Sequence, residues 1–366
     1  VTDEKENAVS TRYEPLRKLY PEALVRAGQV YPAAVARRES RWAQLLVDPS
    51  PPPPESAGSE PSSIELASIE SASIESGSSE SSGSESALRR AGAAHLAARR
   101  ADDPSLTNGP TACWQGDDRH GVRVSAGQYF DMLATCDALK AEFDQDAGAT
   151  PITNLPLRAL AHELAGDPLT SGRGRSAAIG ISVILTIPIS ASTGNGSTMD
   201  DGARAFIIGC RGHVSSDRGS WHVAPSGMLE LTGNPELTGD PELTGDPELT
   251  GNPELTGDPD PIAATVATEL LEELGIRIPA AEVADRMLGL GLVHDLLRLK
   301  PDLVVRLDLS AAEVPAELAA VSEFSELAFI PLDRTGVETF WKEHDPEHLT
   351  PAAAGAIALL EASLAG

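Results

Sequence analysis

Apolar positions recur at helical spacing over 262–276, IAATVATELLEELGI. Ala263, Val266, Ala267, Leu270, Leu271 and Leu274 fall on one broad face, and Glu269, Glu272 and Glu273 fall on the other. Gly275 follows where a helix would end. Ala177–Ile187 is dense in Ile and Val and predicts a strand. ARAFIIGCR (203–211) predicts its hairpin partner across a loop of Gly, Ser and Asn. LVVRLDL (303–309) and ELAFIPL (326–332) predict two more strands, and Thr335–Lys342 and Pro351–Leu364 predict helices. Upstream, LRRAGAAHLAARR and Tyr129–Phe143 have helical spacing, so 88–172 reads as a small helical or mixed subdomain. Residues 1–50 read as a segment helical in patches, as in YEPLRKLYPEAL and ESRWAQLLV.

Two tracts fit neither period. DPSPPPPES (48–56) favours the polyproline conformation. The pentads SIELA, SIESA, SIESG, SSESS and GSESA follow it, with Glu every five residues. That spacing builds no continuous buried face, so 51–87 reads as a disordered Pro/Ser/Glu linker. Between 230 and 259 the hexads ELTGNP, ELTGDP, ELTGDP, ELTGNP and ELTGDP each end in a Gly-Asx-Pro turn signal. They read as an expanded surface loop inserted in a C-terminal domain spanning 173–366.

Composition narrows the class. The chain has 366 residues, enough for about two domains. Aromatic residues make up only 4%, which leaves the core to Leu, Val, Ile and Ala. The net charge of -27 is uneven: residues 55–87 and 230–260 together hold 16 Asp and Glu and no Lys or Arg. No basic stripe is present to displace counterions, which argues against a nucleic-acid partner. The three cysteines, Cys113, Cys136 and Cys210, have no zinc-binding spacing and read as reduced buried thiols. The first residues, VTDEKENAVS, are polar and charged and do not read as a signal peptide, and the apolar run 177–189 is too short to span a bilayer. A cytoplasmic protein with no membrane partner is expected.

The acidic helix carries the chemistry. Three carboxylates at i, i+3 and i+4 repel one another, and no Lys or Arg lies within a turn until Arg277. A hard divalent cation relieves that repulsion, and Mg²⁺ or Mn²⁺ accepts carboxylate oxygens; a solvated amphipathic helix is the alternative reading of this segment alone. Upstream, WHVAPSGMLE (221–230) is strand-like and ends in a Gly turn.

Together these segments resemble the Nudix box, G-x5-E-x7-R-E-U-x-E-E-x-G-U, with U a bulky aliphatic residue. Glu269-Leu270-Leu271-Glu272-Glu273-Leu274-Gly275-Ile276 matches E-U-x-E-E-x-G-U at every fixed position, and PSG at 225–227 stands where the family usually shows PGG. The resemblance covers about Ser176–Leu332. It implies an α/β fold: an α/β/α sandwich with a mixed sheet, preceded here by the helical N-terminal region and the acidic linker. It also implies that Glu269, Glu272 and Glu273 hold Mg²⁺ or Mn²⁺ and help activate water against a pyrophosphate. RAFIIGCRG is similar to the family's early strand and places Arg211 near substrate phosphates. Gly227 stands at the box glycine. SEFSELAFIPLD (322–333) resembles the late acidic loop, from which Glu323 or Glu326 would add a metal contact. His294 and Asp295, after a strand-like segment, would line the substrate pocket. YFDMLATCDAL, with the split box, is similar to the UDP-sugar pyrophosphatase branch.

Two departures stand out. Thr268 replaces the box Arg that orients a catalytic glutamate. Gly227 and Glu269 lie 42 positions apart where the family has 15, so the hexads split the box, and the isolated box Glu has only Glu230 as a candidate. The function implied is metal-dependent hydrolysis of a pyrophosphate bond in a nucleoside diphosphate linked to another moiety. The alternative is a catalytically impaired ligand-binding or sensor module of the same fold. The oligomeric state is not readable.

Overall fold

Alternate residues of the Ile- and Val-rich segments face opposite ways, and this places one sheet at the centre of the chain. The structure is a computed structural model that describes residues 12–36, 45–47, 88–117, 121–146, 150–189, 203–212, 217–230, 260–315, 318 and 323–365. In chain order the elements are α1 (Glu14–Leu19), β1 (Ala23–Arg26), β2 (Gln29–Ala36), β3 (Leu45–Val47), α2 (Ala93–Asp102), β4 (Pro110–Asp117) and β5 (Val122–Gln128). Next, α3 (Tyr129–Met132) runs through a π-helical turn, Leu133–Asp137, into α4 (Ala138–Asp146), and α5 (Pro156–Ala165) follows. Then come β6 (Gly180–Pro188), β7 (Arg204–Arg211), β8 (Trp221–Val223), β9 (Ser226–Met228), α6 (Pro261–Leu274) and α7 (Ala280–Arg286). The chain closes with β10 (Leu288–Asp295), β11 (Lys300–Asp308), β12 (Phe324–Pro331), α8 (Arg334–Glu343) and α9 (Pro351–Ser363).

Among the described residues the central sheet runs β1-β2-β10-β11-β6-β7-β12, with β8 on β7 and β9 on β6. The β11–β6 pair is parallel and the rest are antiparallel, so the sheet is mixed. Ile181, Val183, Leu185, Leu303 and Val305 turn to one face and pack with Val266, Leu270 and Leu274 of α6. Ile184, Phe206, Ile208 and Val304 turn to the other and pack with Ala353, Ile357 and Leu360 of α9 and Phe340 of α8. The result is the expected α/β/α sandwich.

The N-terminal segment differs from the helical expectation. Among the described residues before 36 only α1 is an α-helix; β1 and β2 form a hairpin that joins the central sheet through β10. Pro21 follows α1, and Ala27 and Gly28 make a turn with positive φ that the two strands require. Val30 and Ala34 point into one core and Tyr31 and Ala33 into another, the period-2 pattern of a strand buried on both faces. Leu45–Val47 is likewise a strand, parallel to β5. Residues 88–172 mix helices with the β3-β5-β4 sheet. That sheet is tied to the centre: Trp114 N–H donates to the Ala177 carbonyl and Ile179 N–H to that of Ala112, each at 2.9 Å. The linker at 51–87 and the hexads after Glu230 lie outside the described residues. Among the described residues no helix is long and apolar enough to cross a membrane.

Helix α6 begins and ends where its sequence requires. The Asp260 carboxylate accepts from Ile262 N–H, Pro261 takes the first turn, and Gly275 closes the helix at φ +68°. Its buried arc is Ile262, Ala263, Thr265, Val266, Leu270, Glu273 and Leu274. Leu271, expected on the apolar face, is 38% exposed, because the covered arc is centred one step further round and includes a glutamate instead.

Candidate functional site

The start of β9 lies against the C-terminal half of α6. Ser226 N–H donates to Glu273 Oε2 at 2.9 Å. A Cβ built on Gly227 would overlap the Glu269 carboxylate, so that carboxylate occupies space only a glycine leaves free. The two box-like segments, 42 positions apart in sequence, therefore meet in space.

Glu273 is 1% exposed, and its Oε1 is buried with no hydrogen-bond partner among the described residues. Burial first, then the Glu269 charge, pushes its carboxyl up to about 9, against the Ser226 amide that works the other way. Burial, then Glu323, Glu272 and Glu230, pushes Glu269 up to about 8. Glu230 is also raised, by burial and then by Glu272. An unpartnered buried carboxylate oxygen among mutually repelling carboxylates is a donor set suited to a hard cation. Glu269 and Glu273 are its centre, with Glu230 and Glu323 beside them. Among the described residues no three His, Cys, Asp or Glu side chains already stand grouped closely enough to hold a metal ion, so binding would require these side chains to draw together.

Glu230, Glu269 and Glu323 line a cleft of about 530 Å³. Arg211 lines it too and pairs with Glu323 at 2.8 Å. The cleft is also lined by a buried ion network. Arg298 bonds Asp137 at 3.1 Å, Asp217 at 3.0 Å and Asp295 at 3.0 Å, and Lys300 bonds Asp302 at 3.2 Å. Burial pushes Asp137 up, but the His95 hydrogen bond with Arg298 and Arg99 overcomes this and holds it well below the usual carboxylate range. Asp302 is raised by burial despite Lys300. Tyr129, Met132 and Leu133, at and beside the π-helical turn, add an apolar wall.

The structure brings Arg211, Gly227 and Glu269 to this cleft, with Glu273 directly behind them, and Asp295 joins them from the end of β10. Glu272 is exposed on the outer side of α6. Of the two late glutamates, Glu323 reaches the cleft; Glu326 does not, because it sits in β12 opposite Cys210 and is exposed. His294 does not line the cleft either: it is 5% exposed and packs edge-on against Trp114. The intervening sequence hides Asp137, Asp217, His222 and Arg298, which the fold collects from four segments. The one local signal was the charge density of DLLRLKPD between two apolar strands.

Comparison with models of protein families finds no match, and comparison with curated proteins finds none. Solved structures show a slight likeness. A Nudix hydrolase from M. smegmatis is 15% identical, over 52% of this chain and 86% of that one, at a TM-score of 0.28. A MutT/nudix family protein from Enterococcus faecalis is 12% identical, over 42% and 43%, at 0.26. A bifunctional NMN adenylyltransferase/ADP ribose pyrophosphatase from Francisella tularensis is 12% identical, over 63% and 47%, at 0.30. The chain spans less than half the length of the Enterococcus and Francisella proteins.

Proposed function

We propose that the chain is a metal-dependent hydrolase that cleaves the pyrophosphate bond of a nucleoside diphosphate linked to a second moiety. The observation that carries this reading is the meeting of Glu269 and Glu273 with Ser226 and Gly227 at the wall of an Arg-containing cleft. Glu269 and Glu273, with Glu230 and Glu323, would hold Mg²⁺ or Mn²⁺. Such an ion, when bound, neutralises the diphosphate and acidifies a water. Arg211 gives a phosphoryl oxygen a fixed guanidinium partner once Glu323 turns toward the cation. The Ser226 amide fixes one oxygen of Glu273 and leaves Oε1 for a ligand or a proton. At neutral pH the raised carboxyls of Glu269 and Glu273 each hold a proton, so exchanging two protons for one divalent ion leaves the buried charge unchanged.

The test is a panel of nucleotide sugars, dinucleotides, dNTPs and prenyl diphosphates, with Mg²⁺ and with Mn²⁺, read as release of a phosphate monoester. Release from none of them would favour the second reading, a ligand-binding module of the same fold. Exposed Thr268, in place of the expected Arg, is the observation behind that reading. A weakened hydrolase should gain about tenfold in turnover from Thr268→Arg, the scale of a restored orienting contact. A binding module should stay at background.

A further inference from the structure

We infer that His222 Nε2 and the amino end of α9 form an oxyanion subsite in the cleft, separate from the carboxylates. That the anion is a phosphoryl group of the substrate rests on the pyrophosphatase reading above; the subsite itself does not. His222 is 5% exposed and lines the cleft together with Thr350, Pro351 and Ala352. The start of α9 is locked beside it: Trp221 N–H donates to the His348 carbonyl at 2.8 Å, and Thr350 N–H to that of Trp221 at 3.1 Å.

Two hydrogen bonds meet at Thr350 Oγ1. Thr350 Oγ1 accepts from Ala353 N–H at 3.2 Å, and His222 Nδ1 lies 2.6 Å from the same oxygen. Thr350 is buried, and His222 is the one acceptor for its hydroxyl proton among the described residues. With Nδ1 accepting that proton, the hydrogen sits on Nε2, the tautomer the subsite requires. Nε2 has no hydrogen-bond partner among the described residues, yet it is not among their buried unsatisfied atoms, so it opens on the cleft.

The helix end supplies the second donor. Pro351 has no N–H, Ala353 gives its own to Thr350 Oγ1, and Ala354 donates to the Thr350 carbonyl. The Ala352 amide remains, at the positive end of a 13-residue helix. The charged groups acting on His222 are Arg211, Arg298 and Lys300 against Asp217. Burial and those cations keep the ring neutral, so Nε2–H is offered as a neutral donor.

The test is binding of inorganic phosphate to the full chain in EDTA, by calorimetry, with acetate as the competing oxyanion. Millimolar or tighter phosphate binding is expected. It should weaken about tenfold in His222→Leu and be largely retained in His222→Gln, whose amide still donates. In ¹⁵N-histidine spectra His222 should show the Nε2–H tautomer and shift on phosphate saturation. If His222→Leu fails to fold, that shift decides the matter. An unmoved His222 resonance, an Nδ1–H tautomer, or unchanged affinity in folded His222→Leu would overturn the proposal, and acetate binding as well as phosphate would overturn its assignment to a phosphoryl group. Because no metal or turnover enters, phosphate binding without hydrolysis would sink the hydrolase reading alone. Hydrolysis without phosphate binding at His222 would sink the subsite alone.

Discussion

Glu269 and Glu273 differ from the other acidic residues of this chain because they are ionisable groups held where ionisation is costly. Below about pH 4.5, their ordinary value, both are protonated folded or unfolded. As pH rises to about 8 and about 9 the unfolded chain releases protons that the folded chain keeps. Their contribution is thus fully present below 4.5 and is lost as pH rises through that window. The metal-free protein should lose denaturant stability between pH 5 and 9, and Glu269→Gln with Glu273→Gln should flatten the loss. Mn²⁺ should raise the melting temperature of the parent and leave the double variant unmoved; an equal rise in both would take the cation off this helix. Gly227→Ala tests the same place from the other side. The added methyl meets the flexible end of Glu269 rather than backbone, so the protein should fold while the carboxylate is pushed aside. Cation affinity should fall about tenfold with little change in melting temperature, whereas an unchanged affinity would mean that Glu269 is not a ligand. The helical wheel separated Glu269, Glu272 and Glu273 from the apolar face but could not rank them. Glu272 and Glu273 are adjacent in sequence, and only the turn at Ser226, supplied from 47 positions away, buries one and leaves the other in water.

At the scale of elements, local pattern was enough wherever one face of an element packs on the sheet and its ends are marked. Strands β6, β7, β11 and β12 and helices α6, α8 and α9 appear within a few residues of their expected bounds. The hairpin β1–β2 was hidden because both of its faces are buried, in different cores, so QVYPAAVA shows no polar-apolar alternation. The π-helical turn Leu133–Asp137 likewise has no local signature in a segment read as one helix. Helix α6 makes its own prediction. Its start is fixed at Asp260 and Pro261, and its contacts to Ser226 and Gly227 are made by side chains, so the hexads need not hold the two segments in place. Deleting 236–259 should change stability by on the order of 1 kcal/mol, since loop closure depends only logarithmically on length. Cation binding should persist. Loss of soluble protein on deletion would show that the hexads pack against the rest.

For the molecule as a whole, the cleft exists because separate stretches of chain converge on Arg298. Its guanidinium bonds Asp137 from the π-helical turn, Asp217 ahead of β8 and Asp295 at the end of β10. Those partners are 161, 81 and 3 positions away, and spacing of that kind leaves no trace in local pattern. Arg298 is 5% exposed, so the pairing is made where water screens little. Removing the cation leaves three carboxylates without their shared partner. Lys140 remains 3.8 Å from Asp217, and His95 and Arg99 remain with Asp137. Arg298→Met, close in volume, should therefore cost about 3–5 kcal/mol at neutral pH, the scale for breaking a buried pair on one side. The pH dependence identifies the cause. Burial opposes ionisation of Asp137 and Asp217, but their partners hold both below the ordinary carboxylate value of 3.8. Their stabilisation is present above 3.8 and is lost as pH falls through their folded values. In Arg298→Met the freed carboxyls instead take up protons at higher pH and stop repelling. The gap between parent and variant, read from urea unfolding, should be widest near pH 7 and narrow as pH falls toward 4. A gap that stays constant with pH would show that Arg298 acts through packing of its aliphatic stem rather than through its charge.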